Sequence, residues 1–277
     1  MQLKSGSKVL DLKFAQVMGI LNVTPDSFSD AGKFKNLDIA LKRALEMLAQ
    51  GASIIDVGGE STRPGAPDVS LDEELARVLP IIEKIKQNSD CWISIDTSKA
   101  QVMREAVHAG ASILNDVRAL QGEGALQAAA QLNVPVCLMH MQGAPRSMQS
   151  DPRYANLYSD VKDFLEQRIE ACLQIGIKKE QIILDLGFGF GKTMDHNFAL
   201  LSATHKFVAL GYPLLTGISR KSMFGQLLNR QLSDRLAGSL AGALIAVQQG
   251  SKIIRVHDVG ATVDIIKVLN KVNSFNK

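Results

Sequence analysis

Three residues near the end of the chain are of the types that hold anions. Lys221 lies in Ser219-Arg220-Lys221-Ser222, and Arg255 and His257 lie in Arg255-Val256-His257-Asp258. If they converge, an ammonium, a guanidinium and an imidazole make a pocket for a phosphate group. A further candidate, Arg63, stands in Asp56-Val57-Gly58-Gly59-Glu60-Ser61-Thr62-Arg63-Pro64-Gly65. Its planar fork matches phosphate oxygens two at a time. The paired glycines permit close backbone approach.

Asp96, Asn115 and Asp185 form a second group. Around one cavity they could read the donor edge of a guanidine-like heterocycle. They could equally bind a cation, or be knitted into an internal hydrogen-bond network. Asn22 opens the segment Asn22-Val23-Thr24-Pro25-Asp26-Ser27-Phe28-Ser29-Asp30, which is long for a loop in a compact domain. Its amide oxygen suits Mg²⁺, a cation that takes oxygen ligands and keeps several waters. Asp185-Leu186-Gly187-Phe188-Gly189-Phe190-Gly191-Lys192 alternates glycine with aromatic residues. The spacing is not that of a nucleotide-binding glycine loop. A glycine-rich loop that presents Phe rings suits the grip of a flat ligand.

These residues need elements to place them. Apolar, β-branched runs recur at Val17–Leu21, Ser53–Val57, Trp92–Ile95, Ser112–Leu114, Val134–Met139, Ile182–Leu184, Leu214–Ile218 and Lys252–Val256. Several are apolar at consecutive positions, as expected of parallel strands buried on both faces. Helical periods fall between them. Leu37, Leu41, Leu45 and Leu48 share a face, as do Leu71, Leu75, Val78, Ile82 and Ile85,. Val161, Leu165, Ile169 and Cys172 keep the period, and so do Leu236, Leu240, Ala243 and Val247. Ser70 with Glu73 reads as a capping box, and Ser98 with Gln101 could be another,. Gly51, Gly110, Gly176, Gly211 and Gly250 follow helical stretches and suit the left-handed position past a helix end.

Eight such units predict an α/β fold, a closed (β/α)8 TIM barrel, as a single domain over 1–277. An open doubly wound sheet is the competing architecture. The strands end in turn on Asn22, Asp56, Asp96, Asn115 with Asp116, His140, Asp185, Ser219 with Lys221, and Arg255 with His257. In a barrel these line the C-terminal rim, where barrel enzymes carry their chemistry. Some of them are expected only to cap helices or tie loops. The loops after the seventh and eighth strands often make a phosphate site. His108 and His205 fall on predicted helices and read as surface residues, and His196 reads as a loop residue.

The bulk numbers agree with a catalytic barrel. The chain has 277 residues, 46% of them hydrophobic, and a net charge of +3, which demands no nucleic-acid partner,. Cys91, Cys137 and Cys172 are far apart and show no metal or redox spacing. The first residues show no secretory signal pattern, and no apolar run is long enough to span a membrane. A cytoplasmic location is therefore expected.

The segments MGILNVTPDSFSD, DVGGESTRPGA, IDTSK, NDV, CLMHMQG, GFGFGK, SRKS and IIRVHDV, in order from Val17 to about Val259, resemble the successive motifs of bacterial dihydropteroate synthases. The resemblance implies a (β/α)8 barrel, usually a homodimer, that works as a transferase of folate biosynthesis. It implies condensation of 6-hydroxymethyl-7,8-dihydropterin diphosphate with 4-aminobenzoate, giving 7,8-dihydropteroate and pyrophosphate by an SN1-like path. Asp96, Lys221, Arg255 and Arg63 would be catalytic. Asp96, Asn115, Asp185, Lys221 and Met139 would bind the pterin. Asn22, Arg63, Arg255 and His257 would hold the diphosphate, with Mg²⁺ at Asn22. Thr62, Phe28, Pro64, Phe190, Lys221 and Ser222 would shape the aminobenzoate site, its carboxylate at the helix N-terminus near Ser222. The first two rim loops would order on the diphosphate, so that aminobenzoate binds last. Two positions depart from the family pattern: Leu186 where Pro is usual, and Ala31 where Gly is common. Leu186 is expected to loosen the turn that aims Asp185. Related pterin barrels that pass a methyl group to a corrinoid have less use for Arg63 and the first two loops. Barrel hydrolases often need a His-x-His on the first strand, and Val17–Asn22 has no histidine. A noncatalytic pterin-binding protein would have little need of the anion-binding residues.

Overall fold

The computed structural model describes residues 1–24, 33–61, 66, 68–143, 148–149 and 151–275. Eight parallel strands close into a barrel: β3 (Gln16–Asn22), β4 (Ile54–Gly58), β5 (Trp92–Asp96), β6 (Ile113–Asp116), β7 (Val136–Met139), β8 (Ile182–Asp185), β9 (Leu214–Thr216) and β10 (Ile253–Val256). Neighbours pair in chain order, and β10 pairs with β3 to close the ring. β4, β6, β7 and β8 are buried at every position. That is why they read as continuous apolar runs instead of alternating ones. The predicted strands all form. The fifth starts later than read, past Pro135, and the seventh stops at Thr216.

Helices pack outside. They include α1 (Lys33–Ala49), α2 (Leu71–Asn88), α3 (Ala100–Ala109), α4 (Ala125–Leu132), α5 (Leu157–Gln174), α6 (Met194–Ser202), α7 (Thr204–Val208), α8 (Ser222–Leu228), α9 (Leu236–Gln248) and α10 (Val259–Asn273). The Oγ of Ser70 accepts from the Glu73 amide at 3.3 Å and caps α2 as its sequence suggests. Ser98 does not cap α3. That helix begins at Ala100, and the Ser98 hydroxyl donates to Asp116 instead. His196 is not in a loop: it is the third residue of α6 and forms a capping box with Thr193. Gly110 ends α3 at φ 132°, where a Cβ would meet the Lys86 side chain.

The sequence reading places no strand before Val17, but β1 (Gln2–Ser5) and β2 (Lys8–Asp11) form an antiparallel hairpin there. Its strands are short and its apolar residues few, so periodicity gave little signal. Leu3, Leu10 and Leu12 bury against one residue from every barrel strand: Met18, Ile54, Trp92, Ile113, Cys137, Ile183, Leu215 and Ile253. The hairpin thus closes the N-terminal mouth.

Strand parity then sets the site. Side chains two apart share a face. Two residues beyond this apolar layer, the same inward face delivers Asp56, Asn115, Met139, Asp185 and Arg255. Two more residues along β5 it delivers Asp96. Among the described residues no helix is long and apolar enough to cross a membrane.

Candidate active site

The centre of the rim is an ion cluster. Arg255, on β10, donates from Nε to Asp56 at 2.6 Å and from Nη2 to Asp96 at 2.7 Å. Asp56 is fully buried, and Asn115 Nδ2 also donates to it, at 3.3 and 3.4 Å. One guanidinium therefore stands between two carboxylates, one in the middle of β4 and one at the end of β5. Burial raises the Asp96 pKa to about 7; the Arg255 charge lowers it, and Asp56, a like charge, raises it,. Burial opposes the Arg255 charge, but Asp56 and Asp96 hold its pKa above the usual guanidinium value. Two of its donors are thus taken by carboxylates.

Asp185 ends β8 across the cavity. Its Oδ1 accepts from the Gly187 amide at 2.8 Å. Burial raises its pKa against the lowering pull of that bond, Lys221, Arg255 and Lys192. Leu186 is fully buried, and the turn after it is pinned by the bond from Gly187. Two glycines leave room between the polar groups. A Cβ on Gly217 would lie 3.9 Å from both Asp185 Oδ2 and Arg255 Cδ. A Cβ on Gly58 would lie 3.5 Å from Asn22 Oδ1 and 3.9 Å from Asp96 Oδ2. At Gly217, then, the backbone lies within one methyl group's reach of Asp185 and Arg255. The space over Gly58, between an amide oxygen and a carboxylate, suits a hard cation. The sequence reading missed Gly217, because a lone glycine in a strand-end turn carries no distinctive signal.

Lys221 caps α8, and Ser222 is that helix's first residue. The Lys221 ammonium sits 4.4 Å from the centre of the Phe190 ring, a cation–π contact. A Cβ on Gly189 would come within 3.1 Å of the Lys221 side chain, so the glycine is what allows the two loops to approach. His257 follows β10. Its Nδ1 is 3.2 Å from Ser219 Oγ, which also accepts from the His257 amide at 3.3 Å. The neighbouring Arg220 is held by both oxygens of Asp258, so it is a strut between the two loops. Lys221, Arg255 and His257 do share the rim after β9 and β10, as an anion pocket needs. Arg255, however, spends its charge on Asp56 and Asp96.

Other rim residues are structural. Asp116 accepts from the amides of Arg118 and Leu120, both at 2.8 Å, and from Ser98. His140 is buried, with its Nδ1 3.0 Å from Lys192 Nζ. Burial and the Lys192 charge push its pKa down to about 3. Of the two rings expected to grip a ligand, Phe188 is instead buried in the core at 1% exposure, while Phe190 stands against Lys221. Met139 is buried beside the pocket wall, and its Cγ would be 3.3 Å from a Cβ on Gly187. Asn22, Asp96, Asn115, Asp185, Lys221, Ser222, Arg255 and His257 all lie at the C-terminal end of the barrel. Phe28, Thr62, Arg63, Pro64 and Ala31, and with them the tips of the first two rim loops, lie outside the described residues.

Lys99 was also missed. It donates to Glu60 and to the fully buried Glu74, while Arg77 donates to the Gly59 carbonyl at 2.6 Å. These contacts fasten the base of the loop that carries Arg63. Ser-Lys at a predicted helix start gave no hint of a partner on another helix.

The chain matches the family described as "Pterin binding enzyme" over residues 18–257. It is 56% identical over 268 residues to the dihydropteroate synthase of Haemophilus influenzae, covering 97% of this chain and 98% of that protein. It is 54% identical over 269 residues to the dihydropteroate synthase of Escherichia coli K12, with 97% and 95% covered. Among solved structures, the Yersinia pestis dihydropteroate synthase in a sulfonamide drug complex aligns with a TM-score of 0.95 at 53% identity, covering 99% of this chain and 100% of that one. Identity at this level over nearly the full length, on a barrel whose polar layer has the donors and acceptors described above, places the chain among the pterin-binding enzymes, in the family of the dihydropteroate synthases.

Proposed function

We propose that residues 1–277 act as one catalytic unit that condenses 6-hydroxymethyl-7,8-dihydropterin diphosphate with 4-aminobenzoate. The observation that carries this reading is the gathering of Asp96, Asn115, Asp185, Lys221 and Arg255 at the C-terminal end of the barrel. A pterin presents a row of N–H donors, which the two carboxylates and the amide oxygen can accept. Met139 lies against its face.

The scissile bond joins the pterin methylene carbon to a diphosphate oxygen. The electron-rich ring stabilises the cation left as that bond lengthens, and an ionised Asp96 adds to this. The departing pyrophosphate is held by Arg63, His257 and Arg255. Asn22 fits a Mg²⁺ ion through its amide oxygen, and such an ion, when bound with the diphosphate, supplies positive charge to the leaving group. Among the described residues no group of three or more His, Cys, Asp or Glu could hold a metal. That fits a cation carried mainly by substrate phosphate. The aminobenzoate amine then forms the C–N bond and loses a proton, giving dihydropteroate. Lys221, Phe190 and Ser222, with Phe28, Thr62 and Pro64, shape its seat. The amine is nucleophilic as it stands, so no activating Ser–His pair is needed.

The test is direct. Purified protein is mixed with both substrates and Mg²⁺, and dihydropteroate is followed by mass, with a chelator in a parallel reaction. Product that disappears in Lys221→Ala is expected. No product from well-folded protein would reject the reading. Undiminished product in the chelator would remove Mg²⁺ from it.

A homodimer is supported by the exposed leucines at the end of α8, in the connection after it and at the start of α9: Leu227, Leu228, Leu232 and Leu236. Apolar residues gathered in this way mark association surfaces. Sedimentation is expected to give twice the 30.0 kDa chain mass; a single species of chain mass at micromolar concentration would exclude the dimer. The three free cysteines suit a reducing compartment, which supports a cytoplasmic location,.

A further inference from the structure

Lys192 is a buried lysine that the proposed chemistry does not use. Its side chain is 3% exposed. Its Nζ contacts four acceptors: Gly187 O at 2.9 Å, Phe190 O at 3.0 Å, His140 Nδ1 at 3.0 Å and His140 O at 3.4 Å. We propose that Lys192 is a positioning residue for the aminobenzoate site: it ties the loop from Gly187 to Gly191 to the end of β7 and so sets where Phe190 stands beneath Lys221.

The loop cannot hold this path through its own side chains. Gly187, Gly189 and Gly191 all have positive φ, at 66°, 80° and 63°. A Cβ on Gly187 would overlap the His140 carbonyl oxygen, and one on Gly191 would overlap that of Gln142. The loop backbone is therefore pressed against the segment after β7, where only glycine fits. Something must fasten it there. Asn197 Oδ1 accepts from the Gly189 amide at 2.7 Å, Tyr154 donates to Gly191 O at 2.7 Å, and Gln149 donates to Gly189 O. Lys192 is the one of these side chains that takes the carbonyl of Phe190 itself. It also takes that of Gly187, whose amide aims Asp185.

The choice of lysine is costly. Burial lowers its pKa to about 7, with Asp185 opposing and Lys221 reinforcing the shift. Taking an ammonium out of water costs free energy, which its hydrogen bonds to the carbonyls and the imidazole offset only in part,. Such local costs are expected where a site demands a fixed geometry. Three N–H groups radiating from one nitrogen can hold three backbone and ring acceptors at once.

The inference rests on the proposed seat of aminobenzoate at Phe190. Steady-state kinetics of full-length Lys192→Met, with Phe190→Ala alongside, separate the two. Lys192→Met is expected to raise the KM for 4-aminobenzoate about tenfold and that for the pterin diphosphate by less, about threefold through the Gly187 contact to Asp185, since loop misplacement of about 1 Å is enough to do so,. A purely structural role would lower kcat through loss of folded enzyme and leave both KM values alone, and that result would overturn the inference. If Phe190→Ala raises the aminobenzoate KM and Lys192→Met does not, the seat stands and the positioning role falls. If neither variant moves it, both fall. Should Lys192→Met fail to fold, Lys192→Gln, which keeps an amide donor, is judged by the same KM criterion.

Discussion

Arg255→Met is expected to lose on the order of 3–5 kcal/mol of stability at neutral pH, the typical cost of leaving a buried charge without its partner. Asp56 is fully buried and the Asp96 side chain is 10% exposed, so water cannot replace the guanidinium. The apolar stem of methionine fills much of the same volume, which separates lost charge from lost packing. The deficit depends on pH. Asp96 has its pKa raised to about 7 even with Arg255 present, and removal of the cation raises it further. A carboxyl with a raised pKa destabilises the fold when ionised, and the cost is relieved as pH falls and it takes up a proton. The gap between parent and variant should therefore be wide at about pH 8 and narrower at about pH 5.5. Urea unfolding at the two pH values checks this. Equal deficits at both would show that charge burial is not the cause. Activity should fall with stability, since Asp96 loses the group that orients it.

Asp96→Asn should show the opposite separation of stability from activity. Asparagine keeps an acceptor for Arg255 Nη2, and it resembles the protonated acid at every pH. The fold is therefore spared the cost of ionising a carboxyl whose pKa stands near 7. Relative to the parent, the variant should become more stable as pH rises from about 4 to about 7 and should level off above that,. Its kcat/KM should fall about 10²–10³-fold, the usual cost of losing one preorganised group at a developing charge. The loss arises because a neutral amide neither stabilises the pterin cation nor accepts donors as a carboxylate does. Calorimetry beside steady-state assays reads both effects. A variant within about threefold of the parent in kcat/KM would remove Asp96 from the chemistry.

Much of this architecture is legible along the chain. Strands buried on both faces read as unbroken apolar runs, and helices read as a period of 3.6, because both signals are local. The rim was legible for a related reason. Each strand run ends in a polar group, and closure of the barrel carries all eight ends to one face. Asp96, Asn115, Asp185, Lys221, Arg255 and His257 were found in this way. The motifs around them pointed to the family that the comparisons later supported.

What only the tertiary structure decided are the partnerships. Arg255 reads along the chain as an anion ligand, and the two carboxylates it bonds, Asp56 and Asp96, lie 199 and 159 residues away in sequence. No local pattern encodes which inward-facing carboxylates a guanidinium will meet; the register of a closed barrel does. His140 and Asp116 end strands just as Asp185 does, but they turn to Lys192 and to the amides of their own loop. Phe188 and Phe190 differ by one glycine, yet one enters the core and the other meets Lys221. The N-terminal hairpin forms because the bottom layer of the barrel must be covered, a need that belongs to the ring as a whole. The sequence by itself determined the barrel, its functional end and the residue types gathered there, since period and strand parity are properties of neighbouring residues. The tertiary structure alone decided which of those side chains face the ligand space and which hold the others in place, since pairing across a closed barrel depends on contacts that no short stretch of chain contains.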